Sequence, residues 1–454
     1  MTAQTILPAN TLSTGGFQVD NSVRLFSNTL MTMTPSGAPT NADISTLSFW
    51  TKIGGLGTNR TPIAAASNGA AVHFRTDDQV DFYNAGGSLR TTQKFKDVSA
   101  WYHIVLRTDT TDGTANDRLR VYVNGTQVTD FAARSNPDQN ANTHLGSAAE
   151  HHIGCNNSAA NFFNGYLAEV CFIDGLSLGP DSFGEFDSDS GIWKPIKVSG
   201  LTFGKNGFYL EFKSGGNLGD EDKGTQTADW SETNLTAVDQ STDTCTNNFA
   251  TLNPLLFHTY SGTYSEGNLK IVASNNSWYA DASTIAPSSG KFYMEVKVSA
   301  IGNYCALGVG AFPFSNVGHS QLIGELSNTI GWRNNGVLNQ NGSAGTSLNS
   351  FTTDDIIGMY LDLDNGKFYF SKNGTLESST GLSLTTGLKY FFVVNPRGST
   401  LELNFGSPSF ALANTAIADD NGYGAFEYSP NITGDSVAKK FYTLNTKNLA
   451  EFGG

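Results

Sequence analysis

Apolar and polar residues alternate along much of this chain with a period of two, the mark of a β-strand that turns one face to a core. Between 291 and 298, Phe292, Met294, Val296 and Val298 alternate with Tyr293, Glu295 and Lys297. Ile357, Met359, Leu361 and Leu363 repeat the pattern, Phe368 and Phe370 re-enter it, and Leu401, Leu403 and Phe405 form a last inward row. Asn and Gly tolerate positive φ, so Asp364-Asn365-Gly366-Lys367 and Asn373-Gly374 read as tight reversals. Strands of this kind with turn signals between them predict an antiparallel sandwich over 290–406.

An earlier block follows the same logic. STLSFWTKI (45–53), AVHFRT (71–76), QVDFYNA (79–85) and WYHIVLRTD (101–109) each read as strands. In DRLRVYVNGTQVTDF (117–131), Leu119, Val121 and Val123 point one way and Arg118, Arg120 and Tyr122 the other, with Asn124-Gly125 at the turn. HHIGC (151–155) and FFNGYLAEVCFIDG (162–175) complete the set, and NGFYLEF (206–212) adds a strand to the same sandwich. Between the blocks, KSGGNLGDEDKGTQTADW (213–230) is rich in Gly, Asp and Thr and reads as loop.

The order GKFYMEVKV, CALGVG, IGWRNNG, DDIIGMYLDLDNGKFYFSKNG, KYFFVVNPRGSTLELNFG resembles a SPRY domain, a bent β-sandwich used for binding. FW in an early strand, WYHIVL before LRVYVNGTQV, and FNGYLAEVCFIDG resemble the concanavalin-A-like jelly roll of laminin-G and pentraxin lectin domains. The expected fold is therefore all-β, two antiparallel sandwiches joined by a loop-rich bridge. The boundaries expected are an N-terminal arm (1–14), the jelly roll (15–213), a linker (214–255), the SPRY domain (256–410) and a C-terminal extension packing on it (411–454).

Composition narrows the class. The chain has 454 residues, long enough for two or three cores. Its 15% charged residues and 49 glycines suit short strands and turns better than long helices. A net charge of −14 with no basic patch argues against nucleic acid and anionic membranes. The four cysteines, Cys155, Cys171, Cys245 and Cys305, show no CxxC pair and are expected to be buried thiols. MTAQTILPAN lacks the basic and apolar regions of a signal peptide, and no run of 18 apolar residues occurs. A soluble product folding in a reducing cytoplasm is the expectation.

Candidate chemistry is sparse. The β-glucanases of the jelly-roll fold carry Glu-x-Asp-x-Glu on one strand, aiming three side chains into a cleft. The nearest run here, Glu185, Asp187 and Asp189, lacks the second Glu and reads as a solvated turn. His73, His103, His144, His151, His152, His258 and His319 are scattered; His151 and His152 are adjacent and face opposite sides of a strand. His103 is expected to be packed within its strand. Asp362, Asp364 and Asn365 lie in a hairpin with no Glu at the twelfth loop position, which excludes an EF-hand. No catalytic residue is assigned and the chain is read as non-enzymatic.

Resemblance to laminin-G and pentraxin lectins implies Ca²⁺ as the one cofactor candidate, held at a rim by Asp109, Asp112 and Asp117, with Asp77 and Asp78 as a second choice. Sugar binding needs an exposed aromatic with polar partners, and Trp278, Tyr279, Trp332 and Arg333 lie near turns. SPRY domains use inter-strand loops, which makes Trp332, Arg333 and Asn334 the candidate ligand residues.

A jelly roll followed by SPRY, joined by a phrase like NNFATLNPL, is similar to structural proteins of tailed bacteriophages. That resemblance implies a virion surface protein of tail-fibre or appendage type, made in the host cytoplasm and displayed on the particle exterior. Its partners would be other virion proteins, further copies of itself in a homo-oligomer such as a trimer, and a host surface glycan or receptor, with no nucleic acid and no membrane insertion. A capsid decoration or head-fibre protein is the alternative, and a cellular lectin or adhesin a minor one.

Overall fold

The alternating segments form strands, and the strands assemble into two separate sandwiches. The structure is a computed structural model that describes residues 16–453 apart from 67–68, 221–222, 225–228, 256–261, 275, 312–321 and 434–437. The expected N-terminal arm (1–14), His258 and His319 lie outside the described residues. Two units divide the chain, one ending at Asn247 and the other starting at Asn248.

In the first unit, one sheet runs in the order Thr126–Gln127, Leu119–Val123, Trp101–Asp109, Ile44–Ile53, Gly165–Asp174, Ser22–Leu25, Gln240–Ser241. Phe208–Leu210 also pairs with Gly165–Asp174, beyond a bulge between Ala168 and Cys171. The facing sheet runs Phe131–Ser135, Gly87–Thr91, Val80–Asn84, Ala70–Phe74, Arg60–Ala65, His151–Ile153, Leu30–Met33, Ser231–Thr233. All these pairings are antiparallel. Between the sheets lie Leu47, Phe49, Ile104, Leu106, Leu119 and Val121 from one side and Ile63, Val72, Phe74, Phe82 and Leu89 from the other. Each buried side chain of this size stabilises the fold by roughly 1.5–3 kcal/mol. Asn124 (φ 47°) and Gly125 (φ 76°) make the expected hairpin turn, and a Cβ on Gly125 would strike the Trp193 ring.

The outer face of the first sheet differs from the alternation reading. Every residue of Gly165–Asp174 and nine of the ten in Ile44–Ile53 are buried. Residues 176–203 and 241–247 cover this face, placing Trp193 and Cys245 against Trp50, Trp101 and Tyr166, and Phe183 and Val198 against Val105, Ile173 and Tyr209. The stretch 214–255, read as a linker from its composition, contains three strands of the first unit, Lys223–Gly224, Ser231–Thr233 and Gln240–Ser241, and Trp230, which sits in the first core. Ala250 and Leu252, from the same stretch, belong to the second core. Strands of two or three residues are too short to display an alternation.

In the second unit, one sheet runs Thr263–Ser265, Lys270–Val272, Thr400–Asn404, Lys291–Ala300, Ile356–Asp362, Lys367–Lys372, Thr375–Leu376. The other runs Asp281–Ala282, Tyr390–Asn395, Ala306–Ala311, Thr329–Arg333, Leu338–Gln340, Ser343–Ala344. Phe292, Met294, Val296, Ile357, Met359 and Leu361 meet Leu307, Val309, Ile330, Trp332 and Phe392 between them. Phe426, Ile432 and Phe441 cover Tyr293, Tyr360 and Tyr369 on the outside of the larger sheet. Tyr442–Thr443 adds a parallel pairing to Phe292–Tyr293, and Thr446–Phe452 forms a short α-helix capped by Asn445. The result is all-β, with antiparallel sheets in both units.

Candidate functional site

Two groups of aromatic and charged side chains stand out, one on each unit. On the first, Lys52 Nζ lies 2.7 Å from Asp243 Oδ2 and Trp101 Nε1 donates to Asp243 Oδ1 over 3.1 Å. Burial pulls the Lys52 ammonium below its usual range, and Asp243 opposes that shift. His103 stacks between Trp50 (4.8 Å) and Trp193 (5.9 Å). Trp193 Nε1 donates to His103 Nδ1 over 3.0 Å, so the ring proton sits on Nε2, facing Ser48 Oγ at 2.8 Å. Desolvation lowers His103 to about 3, which keeps the imidazole neutral. These groups are buried beneath the chain's own covering segments and satisfy one another.

The carboxylates considered for Ca²⁺ are engaged separately. Asp109 Oδ1 accepts from Thr111 N and Oγ1, Asp112 Oδ1 accepts from Thr114 N, and Asp117 pairs with Arg120 at 2.8 Å. Asp78 pairs with Arg60 at 3.0 Å, while Asp77 lies 3.5 Å from Arg75. Among the described residues, no three His, Cys, Asp or Glu side chains come together to hold a metal ion. Asp187 Oδ1 accepts from Ser190 N and Oγ, and Lys194 lies 3.1 Å from Asp187 and 3.3 Å from Glu185. Those contacts hold the Asp187 carboxyl well below its usual range and stabilise a hairpin turn. His151 and His152 contact different partners, Ala149 O and Glu150 Oε2. All four cysteines are buried thiols.

Of the triplet Trp332, Arg333 and Asn334, the structure buries the first and leaves the other two partly exposed. Trp332 is 0% exposed, packed against Phe351 (4.8 Å) and Phe370 (5.2 Å), which corrects its assignment as a ligand residue. The cause is strand parity: Trp332 shares the inward side with Ile330, and Arg333 takes the outward side. Asn334 uses its side-chain oxygen to accept from Cys305 N over 3.1 Å. Arg333 stays partly exposed and pairs with Glu325 at 2.8 Å.

Arg333 joins three residues that sequence reasoning did not connect. Ala306 pairs with both Asn395 and Arg333, and Asp281 pairs with Val394. This register brings four strand ends to one edge of the smaller sheet, carrying Trp278, Tyr304, Arg333 and Arg397. The Arg397 guanidinium carbon lies 4.7 Å from the Trp278 ring centroid and 5.3 Å from that of Tyr304. Arg333 lies 5.7 Å from the Trp278 centroid, and the two aromatic rings are 6.2 Å apart. Trp278 and Arg397 are half-buried and Tyr304 is 36% exposed.

Arg397 Nε donates to Asn276 O over 2.7 Å, and among the described residues its two terminal nitrogens meet no hydrogen-bond or ion-pair partner. Its φ of 25° falls in the left-handed region, inside a turn closed by Ser399 N donating to Pro396 O over 2.7 Å. A non-glycine residue held there stores strain of about 1–3 kcal/mol. Trp278 had been noted as an aromatic near a turn. The pairing of four distant strand ends gave no signal in the sequence.

A segment of each unit matches a known family model. Residues 27–176 match Laminin_G_3, described as the concanavalin A-like lectin/glucanases superfamily, and residues 291–408 match the SPRY domain. The chain is similar to the solved SPRY domain of human HERC1, at 18% identity over 30% of this chain and 87% of that one, with a TM-score of 0.26. It is also similar to the TRIM65 PSpry domain, at 22% identity over 34% of this chain and 89% of that one, with a TM-score of 0.29. Stonustoxin matches at 19% identity over 34% of this chain and 27% of its own, with a TM-score of 0.29. A concanavalin-A-like domain followed by a SPRY domain suggests a binding or adhesion role.

Proposed function

We propose that this chain is a non-enzymatic surface protein of a bacteriophage particle, of tail-fibre or appendage type, that binds a glycan or receptor on the host surface. The observation that carries the binding part is the Trp278–Tyr304–Arg333–Arg397 platform, where aromatic surface lies beside the Arg397 terminal nitrogens, which meet no partner among the described residues, as sugar recognition requires. The virion part rests on the order of modules and the joining phrase NNFATLNPL. In this reading the protein is made in the host cytoplasm, sits on the particle exterior among other virion proteins, and assembles with copies of itself, for instance as a trimer. Light scattering that finds only monomer counts against the last point.

A second reading, capsid decoration, draws on the edge strand Phe131–Ser135, four of whose five residues are exposed. An edge of this kind offers unpaired backbone groups to a neighbouring chain.

The test uses labelled full-length protein on cells that the parent phage infects. Retention on the cells with blocked adsorption, both reduced in Trp278→Ala, is the expected result. Bare cells with folded protein transfer the argument to decoration, and release of reducing sugar from host polysaccharide contradicts the non-enzymatic reading.

A further inference from the structure

Two guanidinium groups are held against one indole, and only one of them has a carboxylate partner among the described residues. Arg333 pairs with Glu325, whereas Arg397 is fixed by Asn276 O and by the faces of Trp278 and Tyr304. Gathering like charges has an electrostatic cost that an anion between them removes. This occurs in a chain of net charge −14, where most of the surface repels anions. Arg397 is also pre-set: stacking and the Nε hydrogen bond fix its plane, leaving its terminal nitrogens as a fork for a bidentate acceptor.

We propose that the platform selects an acidic saccharide, one whose sugar ring carries a carboxylate or sulfate group. The anion meets the terminal nitrogens of Arg397, with the Arg333 guanidinium, 5.7 Å from the Trp278 centroid, adding charge. The sugar ring lies against Tyr304, which is 36% exposed and whose ring centroid is 5.3 Å from the Arg397 guanidinium carbon. A pyranose bearing its own acid group combines an apolar face and a charge at that spacing. The acid group fixes orientation, and the aromatic contact separates a saccharide from a flexible acidic peptide. This inference rests on the platform being the ligand site of the proposed function.

Calorimetry on the full chain tests it with four probes: oligogalacturonate, the same oligosaccharide with its carboxylates reduced to alcohols, a sulfated galactan oligosaccharide, and a poly-glutamate peptide. The expected result is binding of an acidic sugar that weakens with salt and is at least about tenfold tighter than that of the reduced form. Arg397→Ala should lose about tenfold, Arg397→Lys less because it keeps charge without the fork, and Lys96→Ala nothing. Unchanged melting curves establish that the variants are folded.

Equal binding of acidic and reduced sugars, both lost in Trp278→Ala, overturns acid selection while leaving the platform as a sugar site. Absence of binding by every probe, or binding indifferent to Trp278→Ala, overturns the platform itself. Tighter binding of poly-glutamate than of either acidic sugar replaces the saccharide with a peptide.

Discussion

The outer face of the first sandwich and the edge platform of the second use similar side chains to opposite ends. Lys52, Trp101, Asp243, His103, Trp50 and Trp193 pair among themselves under a covering segment. Trp278, Tyr304, Arg333 and Arg397 also stack, yet Arg397 keeps terminal donors with no described partner. Tryptophans and cations therefore do not mark a binding surface by themselves. Whether their hydrogen-bonding capacity is used up inside the fold decides the matter, since an unmet buried donor costs stability whereas an exposed one bonds water that a ligand can replace.

The largest effect separates the two regions by stability. Lys52→Met leaves the Asp243 carboxylate in a buried site without its cation, and should cost about 3–5 kcal/mol in urea unfolding. Binding by the platform, measured below the melting transition, should be unchanged.

Next in size is a pH effect within the second unit. Glu295 accepts hydrogen bonds from Tyr293 Oη, Asn404 Nδ2, Glu427 N and Tyr428 N, which tie residues 425–428 to the sheet. Burial raises its carboxyl from 4.5 to about 7, and burial likewise raises Asp281 from 3.8 to about 7. A raised carboxyl pKa means that the folded chain keeps a proton which the unfolded chain releases. The associated stability is complete below the unfolded values and is lost as pH rises through 7, by at most about 1.4 kcal/mol per unit for each group. Urea titrations across that window should show falling stability. Glu295→Gln should flatten the fall while lowering stability overall, because an amide NH₂ faces donors. A slope that is unaltered in Glu295→Gln assigns the titration elsewhere.

Stability effects at the platform are smaller than that of Lys52→Met. Trp278→Ala, half-buried at the end of the smaller sheet, should cost about 1–3 kcal/mol, from lost packing on Ala280, Ala306 and Val393 and from its cation–π contacts. Arg397→Gly relieves a φ of 25° but gives up its contacts with Trp278, Tyr304 and Asn276 O, so stability should change by no more than about 1 kcal/mol. Both should reduce retention on cells. A variant that binds less while melting no lower distinguishes a ligand surface from a structural one.

Much of the fold was legible in the sequence. Period-two runs such as Phe292–Val298 and turns such as Asn124-Gly125 gave the strands, and two family resemblances gave their assembly. The covering layer of the first unit was not legible. Trp193 lies in a segment whose Gly, Asp and Pro content signals loop, and nothing local shows that it returns over a sheet. Parity along Thr329–Arg333 already placed Trp332 with Ile330 on the inward side; reading a nearby turn as exposure obscured it. The platform depends on the register among strands up to 119 residues apart, from Trp278 to Arg397, and register is a tertiary property.

The most direct test of spare donors as the mark of the binding surface is one paired calorimetric measurement of acidic-oligosaccharide binding, with melting curves, for Arg397→Ala and Lys52→Met. The account predicts that Arg397→Ala melts like the parent and loses at least about tenfold in affinity, while Lys52→Met melts lower and binds like the parent. Full affinity in Arg397→Ala, or lost affinity in folded Lys52→Met, would contradict it.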